Sequence, residues 1–297
     1  MIIVTFLGTG AQIPTNKRNH TSILLVNDGE NILIDCGEGT QRQFKKAGLN
    51  YCKLTRILVT HIHGDHVLGL VGLLQSMSLN EYNKELLIYG PKGIKDFMQG
   101  LGKMYNLNLK FKIKVEEVAG KFFENGDFCL EAEKMAHGVP CNAYSFVKKG
   151  QIRINKEKLK KLEGISIQNL KKLKQGKNVI HKGKKYSAKD LTRKENDVKV
   201  SFVLDTLDNK NIVPFVKDSD SLICESSYDS KLSGMAREHM HLTAEQAGKI
   251  AKKGKVGKLI LTHISQRYEK NLKDFLKDAK KEFKDTSIAG DFDVVKV

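Results

Sequence analysis

No apolar run in the chain approaches the roughly 18 to 20 residues that cross a bilayer, and the opening MIIVTFLGTG has neither the basic start nor the cleavage site of a secretory signal. A membrane span and export are therefore not expected, and the cytoplasm is the compartment that fits. The five cysteines (Cys36, Cys52, Cys129, Cys141 and Cys224) are odd in number and contain no CxxC pair. That excludes a disulfide framework and leaves free thiols, none of them assigned to a metal. Acidic residues are the scarcer charge, 34 against 51 Lys and Arg, giving a formal net charge of +17. The excess points to a polyanion, either nucleic acid or an anionic membrane surface. Prolines number only 4 and lysine is abundant, so where the charge sits is more informative than its total. A length of 297 residues suits one compact α/β unit with insertions.

MIIVTFLGTG, TSILLVN and NILIDCG read as short strands separated by glycines and the turn-like DGE. EGTQRQFKKAG reads as a helix closed by Gly48, and TRILVT as an interior strand of a covered sheet. Further strands and helices alternate through KELLIYG, PKGIKDFMQGLG and a set of strands that turns at an Asn-Gly pair. The second half repeats the design: VKVSFVLDT, SDSLICESS and GKLILTHIS are apolar runs ending in ligand-type residues, with helical stretches between them. The pattern predicts an α/β fold of αββα type, two sheets face to face with helices outside. One segment departs from it. Lys148 to Lys194 has little apolar periodicity and carries 17 Lys and Arg against 3 Asp and Glu, nearly all of the excess charge. The expected organisation is an αββα core over 1–147 and 195–297, with a basic insertion at 148–194.

The stretch ILVTHIHGDHVLGL gathers His61, His63, Asp65 and His66 where a buried strand ends. A lone histidine there is ordinarily a core or surface residue, but four ligand-type residues in six positions point to metal, since imidazoles and carboxylates are the usual protein ligands of zinc. His61 and His63 project to one side, and Gly64 is expected to permit a tight turn that brings Asp65 and His66 to a neighbouring point. His137, Asp205 and His263 each follow an apolar stretch and precede a turn signal, so they complete a candidate set.

HxHxDH followed by later His, Asp and His resembles the metallo-β-lactamase superfamily. FLGTGAQIPTNKRNHTS, with a PxKRN loop at Pro14, Lys17, Arg18 and Asn19, resembles the opening of one of its families, ribonuclease Z, the endonuclease that trims the 3′ trailer of precursor tRNA. IDCGEGTQRQ, THIHGDHVLGLVGLL, HGVPCNAYSF and LTHISQRY match that family in order, so the likeness runs over essentially the whole chain. It implies an αββα fold with a protruding basic arm and a metal centre of two Zn2+ per subunit, with Mn2+ or Fe2+ equally accepted by such ligands. His61, His63 and His137 would bind one ion, Asp65, His66 and His263 the other, and Asp205 would bridge. Two cations sharing a water lower its pKa toward neutrality and offset charge on the phosphate.

The same resemblance implies that His241, held by Glu225, is the general acid for the leaving oxygen and that Asp65 also orients the nucleophile. The family commonly has a histidine before that glutamate and a serine after that histidine, where this chain has Cys224 and Leu242. Lys148 to Lys194 falls where the family carries its tRNA-binding arm, so Lys171, Lys172 and Lys174 are expected to meet phosphate and recognise shape. The family's Gly-Pro element is replaced there by Gln168 and Asn169. Lys17 and Arg18 are expected near the nucleotides beside the cut. His239 and His20 match no family role and read as structural, and His181 as solvated. Gly8, Gly10 and Gly37 lack the Lys-Ser/Thr end of a P-loop and read as turn glycines.

The expected activity is cleavage of precursor tRNA by metal-activated hydroxide, leaving a tRNA 3′-hydroxyl and a 5′-phosphate on the trailer, in a homodimer. Two rivals stand beside it: a hydrolase of a small phosphate or sulfate ester on the same fold, which would not need the basic segment, and a non-catalytic RNA-binding protein whose metals are structural.

Overall fold

In a computed structural model describing residues 1–160, 162 and 164–297, the chain divides into two compact units. The first comprises 1–123, 130–146 and 199–297; the second comprises 124–129 and 147–198.

The first unit carries the two sheets. One has the strand order Val294–Lys296, Ile3–Gly8, Ser22–Asn27, Glu30–Ile34, Arg56–Leu58, Leu86–Gly90, Ile113–Glu117. Its first three pairings are antiparallel, as tight turns such as Asp28-Gly29 allow, and the rest are parallel, joined through helices. The other sheet runs Thr286–Ile288, Lys258–Thr262, Ser221–Glu225, Val198–Val203, Cys141–Lys148, Phe128–Met135, Gly120–Glu124. Its first four strands are parallel neighbours. The sheets meet face to face, with Tyr144 Oη donating to Val59 O at 2.7 Å and Asn142 N to Thr60 O at 2.9 Å.

Helices close both outer faces. Ala244–Gly254 begins with a capping box, in which Thr243 and Gln246 satisfy each other's backbone amides, and presents Ala244, Ala247, Ile250 and Ala251 to the second sheet. Its partner Leu272–Lys280 adds Phe275 and Ala279. The two helices come so close that a Cβ on Gly248 would lie 2.7 Å from Ala279 O. On the first sheet Leu70, Leu73, Leu74 and Met77 of Gly69–Leu79 are buried with Ile57, Ile88 and Phe44. Each such side chain contributes on the order of 1.5–3 kcal/mol of hydrophobic burial.

The glycines read as turn formers act differently. Gly8, Gly10 and Gly37 are not in the left-handed region; they permit close approach, and a Cβ would stand 1.7 Å from His20 O at Gly8 and 2.6 Å from Asp65 O at Gly37. Gly64 does lie in a tight turn, closed by His66 N donating to His63 O at 3.0 Å. It also opens a short helix, Gly64–Val67, that carries Asp65 and His66 and follows the strand Arg56–Leu58 after residues 59–63.

The second unit has two small hairpins, Ile152–Ile154 with Thr192–Lys194 and Val179–His181 with Lys184–Tyr186. Its own core is Leu162, Leu173, Val179, Ala188 and Leu191. Helix Ile167–Lys174 buries Leu173 and exposes Lys171, Lys172 and Lys174, so it has an apolar inner side and a cationic outer face. Gln168 and Asn169 lie in this helix, and Asn169 Nδ2 donates to Ile180 O at 2.9 Å.

Candidate metal centre

Parallel strands of both sheets deliver their carboxyl ends to one place, the general location of sites in open α/β sheets. Three residues there lie within two positions of a strand end and adopt left-handed backbone: Asp35 (φ 57°), Asp205 (φ 43°) and His263 (φ 55°). Such a conformation costs roughly 1–3 kcal/mol in a non-glycine residue and recurs at functional sites. Here it turns the chain sharply so that each side chain folds back over the strand ends.

His61, His63 and His137 form one group of convergent donors, and Asp65, His66, Asp205 and His263 another, the atoms of each lying within 4.8 Å of one another. His61 Nε2 and His137 Nε2 each face His63 Nδ1 at 3.1 Å, and His66 Nε2 faces His263 Nε2 at 3.3 Å. Asp205 touches both groups: its Oδ2 is 3.6 Å from His61 Nε2, 4.0 Å from His137 Nε2 and 3.4 Å from His66 Nε2, while Oδ1 is 3.3 Å from His263 Nε2.

The outer hydrogen bonds define which nitrogens are bare. His66 Nδ1 donates to Asp35 Oδ2 at 2.6 Å and His137 Nδ1 to Met240 O at 3.2 Å, so in a neutral ring each Nε2 is an unprotonated lone pair aimed inward. Ser227 Oγ sits 2.8 Å from His263 Nδ1. Asp205 Oδ1 is buried without a hydrogen-bond partner. Lone pairs that point at one another, plus an orphaned carboxylate oxygen, are a donor set lacking its acceptor. The observed nitrogen separations are also close to the roughly 3.3 Å expected between two imidazoles on one tetrahedral zinc. The residues fit bound metal cations.

The local field agrees. Burial holds His61 well below the ordinary histidine range, reinforced by the charge of His66. Burial would raise Asp205 and Asp65, but the surrounding histidines outweigh it and keep both carboxyls below the carboxylate range. Burial likewise opposes a charge on His66, yet Asp205 and Asp35 carry it well above the usual value. At the rim, His241 Nδ1 donates to Glu225 at 3.1 Å; against burial, Glu225 and then Asp205 raise this imidazole to about 9. Glu225 is in turn fixed by Thr206 N (2.6 Å) and Ser227 Oγ (3.0 Å). The site can bind cations, hold anionic oxygens and donate one proton.

Asp65, Asp205, His241 and His263 line a cleft of about 230 Å³ together with Gln12, Tyr228, His239 and Arg267. His239, read from sequence as structural, is exposed at its mouth. His20 is buried, with Nε2 3.0 Å from Gln12 O. Lys17 is exposed, but Arg18 is not available to a ligand. Its guanidinium is buried and donates to Thr9 Oγ1 at 2.7 Å and Ala289 O at 2.6 Å. Asp291 completes that anchor by accepting from Thr9 Oγ1 and Asn19 N. The basic pair is thus split into an outward lysine and an inward brace, which alternation of charge alone does not reveal. Asp35 and Ser227 were not singled out in the sequence; the local signal for Asp35 is an acid at a strand end two residues before Gly37.

The family model described as Anti-Pycsar protein Apyc1 matches residues 2–163, which include His61, His63, Asp65, His66 and His137 but stop before Asp205, Glu225, His241 and His263. Similarity to curated relatives runs further. The ribonuclease Z of Nanoarchaeum equitans is 38% identical over 270 residues, 91% of this chain and 85% of that protein. The structure of human tRNase Z, short form, superposes with a TM-score of 0.73 at 27% identity, covering 99% of both chains. The metallo-β-lactamase fold protein YhfI of Bacillus subtilis gives 0.72 at 20% identity, covering 99% of this chain and 98% of that one. The chain has the metallo-β-lactamase fold and belongs to the ribonuclease Z family.

Proposed function

We propose that the protein is the endonuclease that removes the 3′ trailer of precursor tRNA, using two zinc ions per subunit held by His61, His63 and His137 on one side and Asp65, His66 and His263 on the other, with Asp205 between them. The observation that carries this reading is the convergence of seven donors around Asp205, whose Oδ1 is buried without a hydrogen-bond partner, with His241 held against the buried Glu225 at the rim. Bound metal ions would supply Lewis acidity, lowering the pKa of water and offsetting charge on the phosphate; manganese or iron would serve with the same ligands.

The chain's own groups then have separable tasks. Asp65 Oδ2, beside His66 and His263, orients the attacking water in line with the leaving oxygen. His241 gives its proton to that oxygen, and Glu225 holds the ring and keeps it charged beforehand. The products are a tRNA 3′-hydroxyl and a trailer with a 5′-phosphate. Lys17, Lys171, Lys172 and Lys174 meet phosphates without reading sequence, and the molecule works as a cytoplasmic homodimer. Arg18 braces the loop that presents Lys17.

The test is incubation of metal-replete protein with 3′-extended tRNA, with and without chelator, and mapping of the new ends. Chelator-sensitive cleavage at the acceptor-stem boundary is expected. Intact RNA alongside hydrolysis of bis(p-nitrophenyl) phosphate would replace this reading with a small-ester hydrolase.

A further inference from the structure

The mouth of the cleft carries three planar groups that the reaction described above does not use. Tyr228 is buried, and the exposed His239 ring lies nearly parallel to it, at an interplanar angle of 14° and a centroid distance of 6.2 Å. The Arg267 guanidinium stands 5.2 Å from the centroid of the same Tyr228 ring. Arg267 does not swing freely: its Nε donates to Ser265 Oγ at 3.2 Å and Nη1 approaches Met235 Sδ at 3.1 Å. Tyr228 also neighbours His241, ring centroids 6.2 Å apart. A stack of π and cationic groups is thus built beside the proton donor, held from below and open to solvent at His239.

The exposed His239 imidazole has the Tyr228 ring as its nearly parallel neighbour on the protein side. The cleft itself, at about 230 Å³, is smaller than the roughly 300 Å³ at which pockets begin to enclose a whole small ligand. That volume suits a reacting phosphate and the sugar beside it rather than a whole nucleotide, and His239 lies where an attached base would emerge. Every nucleobase has a π-face, so a flat, solvent-facing ring is a sequence-tolerant partner for it.

We propose that His239, backed by Tyr228 and Arg267, is a stacking platform for the base of the last nucleotide retained in the tRNA. The assignment to that side of the cut rests on the proposed function: His241, two residues on, protonates the 3′ oxygen that leaves, and this oxygen belongs to the retained nucleotide. The platform positions the leaving sugar without reading the identity of the base.

The experiment is a cycle of three proteins, wild type, His239→Ala and His239→Phe, on three precursor tRNAs: unmodified, abasic at the last retained nucleotide, and abasic at the first trailer nucleotide. Wild-type cleavage of the unmodified substrate first tests the underlying function, and its failure would be a failure of that reading. Given cleavage, His239→Ala is expected to lower kcat/KM at least about fivefold, the low end of base–aromatic stacking, with His239→Phe restoring it. On the substrate abasic at the retained nucleotide the Ala and wild-type proteins should be equal. A 2-aminopurine at that nucleotide should be quenched on binding to chelated protein and less quenched by His239→Ala, a readout independent of turnover. The proposal is overturned if His239→Ala matches wild type, if its loss persists on that abasic substrate, or if only the trailer-side abasic substrate abolishes it.

Discussion

Replacing Asp35 by Asn should uncouple the metal centre from its support while preserving shape. The Asp35 carboxylate is fully buried and accepts from His66 Nδ1 (2.6 Å), Thr60 N (2.7 Å) and Thr60 Oγ1 (2.8 Å). Asparagine fills the same volume and tolerates the left-handed φ of 57°. It offers one acceptor oxygen, however, where the carboxylate offers two, so its NH2 must face either Thr60 N–H or the His66 ring. The first choice leaves a buried backbone donor unsatisfied, at about 1–3 kcal/mol. The second reverses the proton on His66, placing N–H at Nε2 where the lone pair should point to a metal. Loss of such an outer partner typically costs 10- to 100-fold in metal affinity or activity. Asp35→Asn should therefore unfold at about 1–3 kcal/mol lower stability in chelator, or bind zinc about 10- to 100-fold more weakly, or both. The assays are denaturant unfolding of chelated protein and competitive titration against a chromophoric chelator, followed by kcat/KM at saturating metal. A variant within twofold of wild type in zinc affinity, with unchanged stability, would refute the claim that Asp35 sets the His66 tautomer.

Glu225→Gln removes the main charge that raises His241 to about 9; the alkaline limb of the pH profile for pre-tRNA cleavage should move to lower pH, because the imidazole loses its proton earlier. Gly248→Ala places a methyl 2.7 Å from Ala279 O and should destabilise by about 1–3 kcal/mol, measured by urea unfolding, with metal affinity unchanged. Lys17→Ala should weaken tRNA binding and lower the salt slope by about one, whereas Arg18→Ala should act through stability, since its guanidinium is hydrogen-bonded inside; fluorescence anisotropy and thermal unfolding separate the two. Thiol labelling of native protein should modify Cys52 first, because Cys36, Cys129, Cys141 and Cys224 are buried, and burial pushes the Cys36 thiol up to about 12.

The sequence by itself determined the elements and the core of the chemistry. Alternating apolar runs gave both sheets, and HIHGDH declared a ligand cluster because four of its donors are close in the chain and needed no tertiary contact to be recognised. His137, Asp205 and His263 were legible only as strand-end residues completing that cluster. What the tertiary structure decided is everything that depends on partners distant in sequence. Asp35 meets His66 across 31 residues, Ser227 meets His263 across 36 and Met240 meets His137 across 103. Lys17 and Arg18 are adjacent in the chain and similar in charge, yet only the fold brings Thr9 and Ala289 to the guanidinium and turns it inward. The glycines show the same division: composition marks them as permissive, but whether that freedom serves a turn or a close approach depends on which backbone comes to lie against them. Local pattern is written by periodicity and residue chemistry, whereas the direction of a side chain is set by the neighbours that folding brings to it.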